Sequence, residues 1–135
     1  MVRAVIDTNV LVSALIHDGK PRKLVLELFD RHTVILSRQM LAEFADVAGR
    51  NKFPVTSVQV ERFLSSLVRI AKVVPDNALF KEVAKDPDDD VVLNTAYAGK
   101  ADYIVTGDKH LLILNNFKKT KIVTVNQMLD ILTMQ

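Results

Sequence analysis

The chain has 135 residues, 49% of them hydrophobic and 25% charged, with a formal net charge of +2, which suits one soluble globular domain over residues 1–135. It has no cysteine, which excludes disulfides and zinc–thiolate sites, and no apolar stretch long enough for a bilayer. The opening "MVRAVIDTN" has too short an apolar part for a signal peptide, so the expected location is the cytoplasm; the nearly neutral charge does not by itself argue for nucleic acid.

Residues 2–6, "VRAVI", form a short apolar run ending at Asp7 and read as a buried strand. "NVLVSALIH" (9–17) reads as a helix broken at Gly19. Pro21 opens "RKLVLELFDRH", where apolar residues at 24, 25, 28 and 29 predict an amphipathic helix. "TVILS" (33–37) is strand-like, and Ser37 suits the cap of a helix over "RQMLAEFADVAGR". Thr56 and Gln59 have capping-box spacing for a helix running to about residue 72. "KVVP" is a short extended piece, and residues 77–85 read as one or two helical turns or none. A helix over about 88–99 follows, ended by Gly99. "DYIVTGD" (102–108) is the clearest strand, with Gly107 permitting a tight turn. "KHLLIL", "KIVTV" and "NQMLDILT" read as short helix, strand and closing helix.

Strands alternating with helices predict a parallel sheet covered on both faces, an α/β/α sandwich with a short central sheet. In such sheets chemistry gathers at the carboxyl ends of the strands. Asp7 and Asp108 end two strands. The cluster "DPDDD" (86–90) opens the helix before the second of them, so its acids reach the same edge. Helix capping alone would use two or three of these carboxylates. Converging carboxylates repel unless a cation compensates, and hard divalent ions prefer oxygen ligands. The three histidines, 17, 32 and 110, lack zinc-ligand spacing, and no phosphate-binding or nucleophile-elbow motif is present. Carboxylate-bound Mg²⁺ or Mn²⁺ is the chemistry the residues support.

"VIDTNVLVSAL", the acid in "LAEFADV", "DPDDDVVLNTA" and "YIVTGDKHLL", in that order and spacing, resemble the four motifs of PIN-domain ribonucleases, in particular the VapC-related group of toxin–antitoxin systems. The resemblance spans about residues 2–133. It implies a short parallel sheet sandwiched by helices and a metal-dependent endoribonuclease acting on single-stranded or structured RNA. It also implies an antitoxin protein as partner and a homodimer. Asp7 matches the first acid, with Thr8 and Asn9 as its supports, against the plainer reading of an Asx turn and a helix cap. Glu43 matches the second acid; Asp46 competes with it but reads better as a solvated carboxylate. The third acid is left open. Asp89 shares a helical face with Val92, Leu93 and Ala96, whereas counting 18 residues back from Asp108, as in many VapC proteins, gives Asp90. Asp86 and Asp88 read as cap and surface. Asp108 matches the fourth acid, and Thr106 a hydroxyl that can orient water.

The basic residues Lys20, Arg22, Lys23, Arg50, Lys52, Lys109, His110, Lys118, Lys119 and Lys121 are candidates for phosphate contacts, each also an ordinary solvated side chain. With six Phe, two Tyr and no Trp, base-stacking platforms are scarce, so the RNA sequence preference is not readable. Two other enzyme classes fit worse. A phosphotransfer receiver needs an Asp after a middle strand, and "TVILS" has none. A haloacid-dehalogenase-type phosphatase needs a second acid where "DTNV" has Asn9. The alternative from another class is a catalytically inactive PIN-like module that binds RNA or protein.

Overall fold

The computed structural model describes residues 1–50, 52–76, 78–81, 83–84 and 86–135. In chain order they form β1 (Arg3–Ile6), α1 (Thr8–Ile16), α2 (Lys20–Arg31), β2 (Thr33–Ser37), α3 (Arg38–Ala48), α4 (Ser57–Ile70), β3 (Lys72–Val74), α5 (Pro87–Ala98), β4 (Tyr103–Val105), α6 (Lys109–Leu112), β5 (Asn116–Phe117), β6 (Thr120–Val123) and α7 (Val125–Thr133). The sheet order is β3-β2-β1-β4-β6-β5. All neighbours are parallel except the β5–β6 pair. The expected α/β sandwich with a short, mostly parallel sheet is therefore the fold.

Central position explains composition. Val5 lies opposite Ile35 on one side and Ile104 on the other, and all three are fully buried. A strand covered on both faces reads as a continuous apolar run, which is why "AVI", "VIL" and "YIV" show no alternation. Helix α5 lies against β1, β2 and β4, while α2 rests on β2 and packs with α1 and α7. One apolar core runs from Val2 to Leu132.

The helix starts follow their capping chemistry. Ser37 Oγ accepts the Met40 N–H at 3.3 Å. Thr56 and Gln59 form the reciprocal box at 3.1 and 2.8 Å, and Thr124 with Gln127 repeats it at 3.1 and 2.9 Å. Arg22, one of the candidates for a phosphate contact, donates to the Ala14 and Leu15 carbonyls at 2.8 and 3.0 Å. It closes the end of α1, where carbonyls lack helical partners.

Four details differ from the sequence reading. Of the segment 77–85, residues 77, 82 and 85 lie outside the described residues, and none of the others is helical: residues 79, 80, 83 and 84 are bends. The strand expected over 102–108 closes at Val105. The antiparallel strand β5 was not foreseen, because its two-residue turn is Lys118-Lys119, without the Asn-Gly or Asp-Gly signal of a hairpin. Gly107 has no positive φ, and a Cβ there would meet nothing within 4 Å, so the turn does not require glycine.

Gly99 does end α5, but for a different reason. The left-handed residue is Lys100, at φ 53°. Its N–H reaches the Tyr97 carbonyl at 3.2 Å and the Ala101 N–H reaches Ala96 at 2.9 Å, the paired bonds of a Schellman ending. Gly99 is needed for space: a Cβ would sit 2.4 Å from Ile35 Cγ2, and Ile35 is fully buried in β2. Gly99→Ala should therefore lower unfolding stability by about 1–3 kcal/mol, the usual cost of overpacking. Urea denaturation checks it, and an unchanged midpoint would mean that β2 yields freely.

Candidate active site

Asp7 leaves the central strand and opens α1. Its N–H donates to the Val105 carbonyl at 2.9 Å, extending the β1–β4 pairing by one residue. The side chain is buried, 7% exposed. It makes no capping hydrogen bond to α1. Its Oδ2 instead accepts the Thr106 hydroxyl at 2.6 Å. Burial raises the Asp7 pKa above the ordinary carboxylate value. The Thr106 bond and the nearby N–H groups of Thr8 and Asn9 oppose this, and the charge of Asp108 adds to it.

Thr106 is fully buried and works in two directions. Its proton goes to Asp7, and its oxygen accepts the Asp108 N–H at 3.0 Å. One hydroxyl thus ties the first acid to the fourth across neighbouring strands. Asp108 caps the short helix α6, its Oδ1 accepting the His110 N–H at 2.8 Å.

Asp89 lies in the first turn of α5 and is 6% exposed, on the buried face with Val92, Leu93 and Ala96. The helical period read from the sequence therefore places it as expected. Burial, then the charge of Asp108 and a hydrogen bond with it, and then the charges of Asp7 and Asp86, push its pKa up to about 7. Its Oδ2 and the hydroxyl of Thr8 are buried without a hydrogen-bond partner. Native structures rarely leave such atoms unpaired unless a ligand or ion completes them. Asn9, by contrast, is exposed at the start of α1.

Asp90 is occupied elsewhere. Its Oδ1 accepts the Ala84 N–H at 2.8 Å. One turn on, the buried Asn94 amide pairs with both backbone groups of Phe80, each at 2.8 Å. Together they strap the segment preceding the acids onto α5. This role needs contacts between separated residues, and the sequence carried no signal for it. Asp86 caps α5, accepting the Asp88 N–H at 3.0 Å.

Glu43 is half-buried on α3 beside Met40 and Phe44. Burial raises its pKa, followed by the charges of Asp88, Asp7 and Asp86. Asp46 is exposed and lies 3.6 Å from Arg50, away from these interactions. Glu43, Asp7, Asp89 and Asp108 thus share one electrostatic neighbourhood, with the capping acids at its rim. The donor set and the unpaired Asp89 oxygen fit a hard divalent cation. Among the described residues no three acids or histidines are grouped closely enough to hold a metal ion by themselves. An ion with the habits of Mg²⁺, which takes one or two carboxylates and keeps waters and phosphates for the rest, matches such an open arrangement.

The PIN domain family model matches residues 3–110, a span that contains all these acids, and the chain belongs to the PIN domain family. PIN domains are in general nucleases. An uncharacterized protein of Methanocaldococcus jannaschii, MJ1680, is 32% identical over 123 residues, covering 87% of this chain and 78% of its own. Two solved structures share the fold. VapBC2 from Rickettsia felis, bound to a DNA fragment from its promoter, superposes with a TM-score of 0.61 at 15% identity, covering 90% of this chain and 98% of that one. PAE2754 from Pyrobaculum aerophilum gives 0.62 at 19%, covering 99% and 91%. Among the described residues no helix is long and apolar enough to cross a membrane.

Proposed function

We propose that the protein is an endoribonuclease that hydrolyses RNA phosphodiester bonds with a divalent metal, Mg²⁺ or Mn²⁺, held directly by one or two carboxylates, Asp7 and Asp89, and through its waters by Glu43 and Asp108. The observation that carries this reading is a buried, unpaired Asp89 oxygen among carboxylates raised first by burial and then by one another's charge. Without a cation this arrangement costs stability, so its presence needs a compensating gain.

A divalent ion bound there supplies a lowered pKa for attacking water and charge neutralisation on the scissile phosphate. The chain's own residues have separable tasks. Thr106 fixes the Asp7 carboxylate by its hydroxyl bond, so one oxygen is locked and the other is free to ligate. Asp89 presents its unpaired oxygen from a rigid helical turn. Asp108 is oriented by its own N–H on Thr106 and by the His110 N–H. Glu43 approaches from α3, the only acid of the set not carried near β1 or β4. No side chain need be a covalent nucleophile.

An antitoxin partner is part of the same reading. VapBC2, solved on a DNA fragment from its promoter, shares the fold, and a neighbouring reading frame encoding a small DNA-binding protein would support the partner here. A homodimer remains part of the proposal, tested by sedimentation. The direct test of activity is simple. The purified protein should cut single-stranded RNA in Mn²⁺ or Mg²⁺ and stop completely in EDTA, with activity restored by added metal. Binding of RNA without cleavage in any divalent metal would identify it instead as an inactive PIN-like binding module.

A further inference from the structure

We propose that Lys100, Lys118, Lys119 and Lys121, with Tyr97, form a second contact surface for single-stranded RNA on the sheet edge opposite the acids; this rests on the ribonuclease reading above. The two connections that carry the lysines, α5 to β4 and β5 to β6, meet at the amino ends of the parallel strands. The Thr120 hydroxyl donates to the Ala101 carbonyl at 2.8 Å, and the Lys121 N–H donates to the Asp102 carbonyl at 3.0 Å. All four lysines are exposed. Ion pairs between described residues join Arg31 to Asp30 and Arg50 to Asp46 and include none of them. Asp102, the acid in their midst, has Oδ2 engaged by the Arg3 N–H at 2.9 Å. A shallow hollow of about 400 Å³ lies between Asp102, Tyr103, Lys119 and Lys121.

The surface also has an aromatic component. Tyr97 is 46% exposed and meets Phe80 edge-on with centroids 4.9 Å apart. Phe80 in turn meets Phe117 at 5.0 Å. Lys118 Nζ sits 5.1 Å from the Phe80 centroid, so this charge is held against rings. Bases stack on such exposed rings, and lysines neutralise phosphates.

Backbone strain falls on the same residues. Among the described residues, the non-glycine residues with positive φ are Lys100 at 53°, Asn115 at 63° and Lys118 at 55°. Asn tolerates that region, whereas lysine does so less readily than glycine. Lysine thus stands at two positions where glycine would be unstrained, one of them the end of α5.

RNA accounts for the placement better than an acidic peptide. The candidate active site is rich in carboxylates and repels a phosphate backbone, so the grip has to lie beyond it. Between Asp89 and Ala98 helix α5 spans about 14 Å at its standard rise, a distance that a short run of nucleotides bridges.

The test uses Asp7→Asn protein in EDTA, where no turnover is needed, and a fluorescent 20-nucleotide oligouridylate. Lys119→Glu combined with Lys121→Glu should weaken binding at least tenfold and flatten its salt dependence. Tyr97→Leu should weaken it about fivefold with the salt dependence kept. Lys100→Gly should bind more weakly while melting at a higher temperature, because strain is relieved as charge is lost. Binding within twofold of the parent for the double Glu variant overturns the proposal. So does a surface that binds polyglutamate as tightly as the RNA and is indifferent to Tyr97→Leu. A protein that never cleaves but shows these binding losses defeats only the ribonuclease reading. One that cleaves while its variants bind normally defeats only the surface.

Discussion

Asp7→Asn should abolish cleavage and, in the same protein, remove most of the thermal stabilisation that Mn²⁺ gives to wild type. An ion that binds only the folded state stabilises it by RT ln(1 + [L]/Kd), about 2.7 kcal/mol at one hundred times Kd. The amide introduced in place of the carboxylate retains an oxygen able to accept the Thr106 hydroxyl, so the fold keeps the 2.6 Å link. The cluster loses one charge, so in metal-free buffer the variant should be at least as stable as wild type. The same titration separates the neighbouring acids. Asp89→Asn should lose most of the Mn²⁺ response. Asp90→Asn should keep it, because the Asp90 carboxylate is spent on Ala84. Equal responses of wild type and Asp7→Asn to saturating Mn²⁺ would show that these acids do not act as one site. A larger loss at residue 90 than at 89 would transfer the ligand role to Asp90.

The second large effect concerns pH in the absence of metal. Asp89 titrates near 3.8 in the unfolded chain and near 7 in the folded one. Between those values the folded state holds the extra proton, so stability falls as pH rises. The metal-free protein should therefore be more stable at pH 5 than at pH 8, by an amount on the order of 2 kcal/mol, moderated because water reaches the rim of the site. Asp7 and Glu43, also raised by burial, contribute in the same direction. Asp89→Asn should flatten the slope, and saturating Mn²⁺ should reverse it, since the ion competes with the protons. Melting temperatures at matched ionic strength from pH 5 to 8 decide the matter; a flat profile for metal-free wild type would mean that the carboxylates do not sense one another.

Features that depend on neighbours along the chain were legible in the sequence. The apolar run ending at Asp7 marks a buried strand and the acid beyond it. The i, i+3, i+4, i+7 pattern turns Asp89 inward, and the Thr56 box declares its helix start. What depends on distant partners was not. Thr106 read as a hydroxyl that can orient water; that it donates to Asp7 follows only once β4 lies beside β1. Asp90 and Asn94 look like one more acid and one more polar residue until Ala84 and Phe80 fold back onto them. Gly99 was placed correctly at a helix end, yet its reason is a side chain of β2 more than sixty positions earlier. Lys100 adopts the conformation glycine would favour, and no local rule predicts that.

The bond between Thr106 and Asp7 joins positions 99 apart in sequence, and this has a consequence for how the protein comes into being. The first acid is made well before the strand that fixes it. A growing chain can build β1, β2 and the helices between them while Asp7 still has neither its hydroxyl partner nor Asp108 beside it. Contacts of such long range form late and slowly. Whatever chemistry these acids perform is thus withheld from any chain that ends before Thr106, because until then the first acid has no partner to hold it.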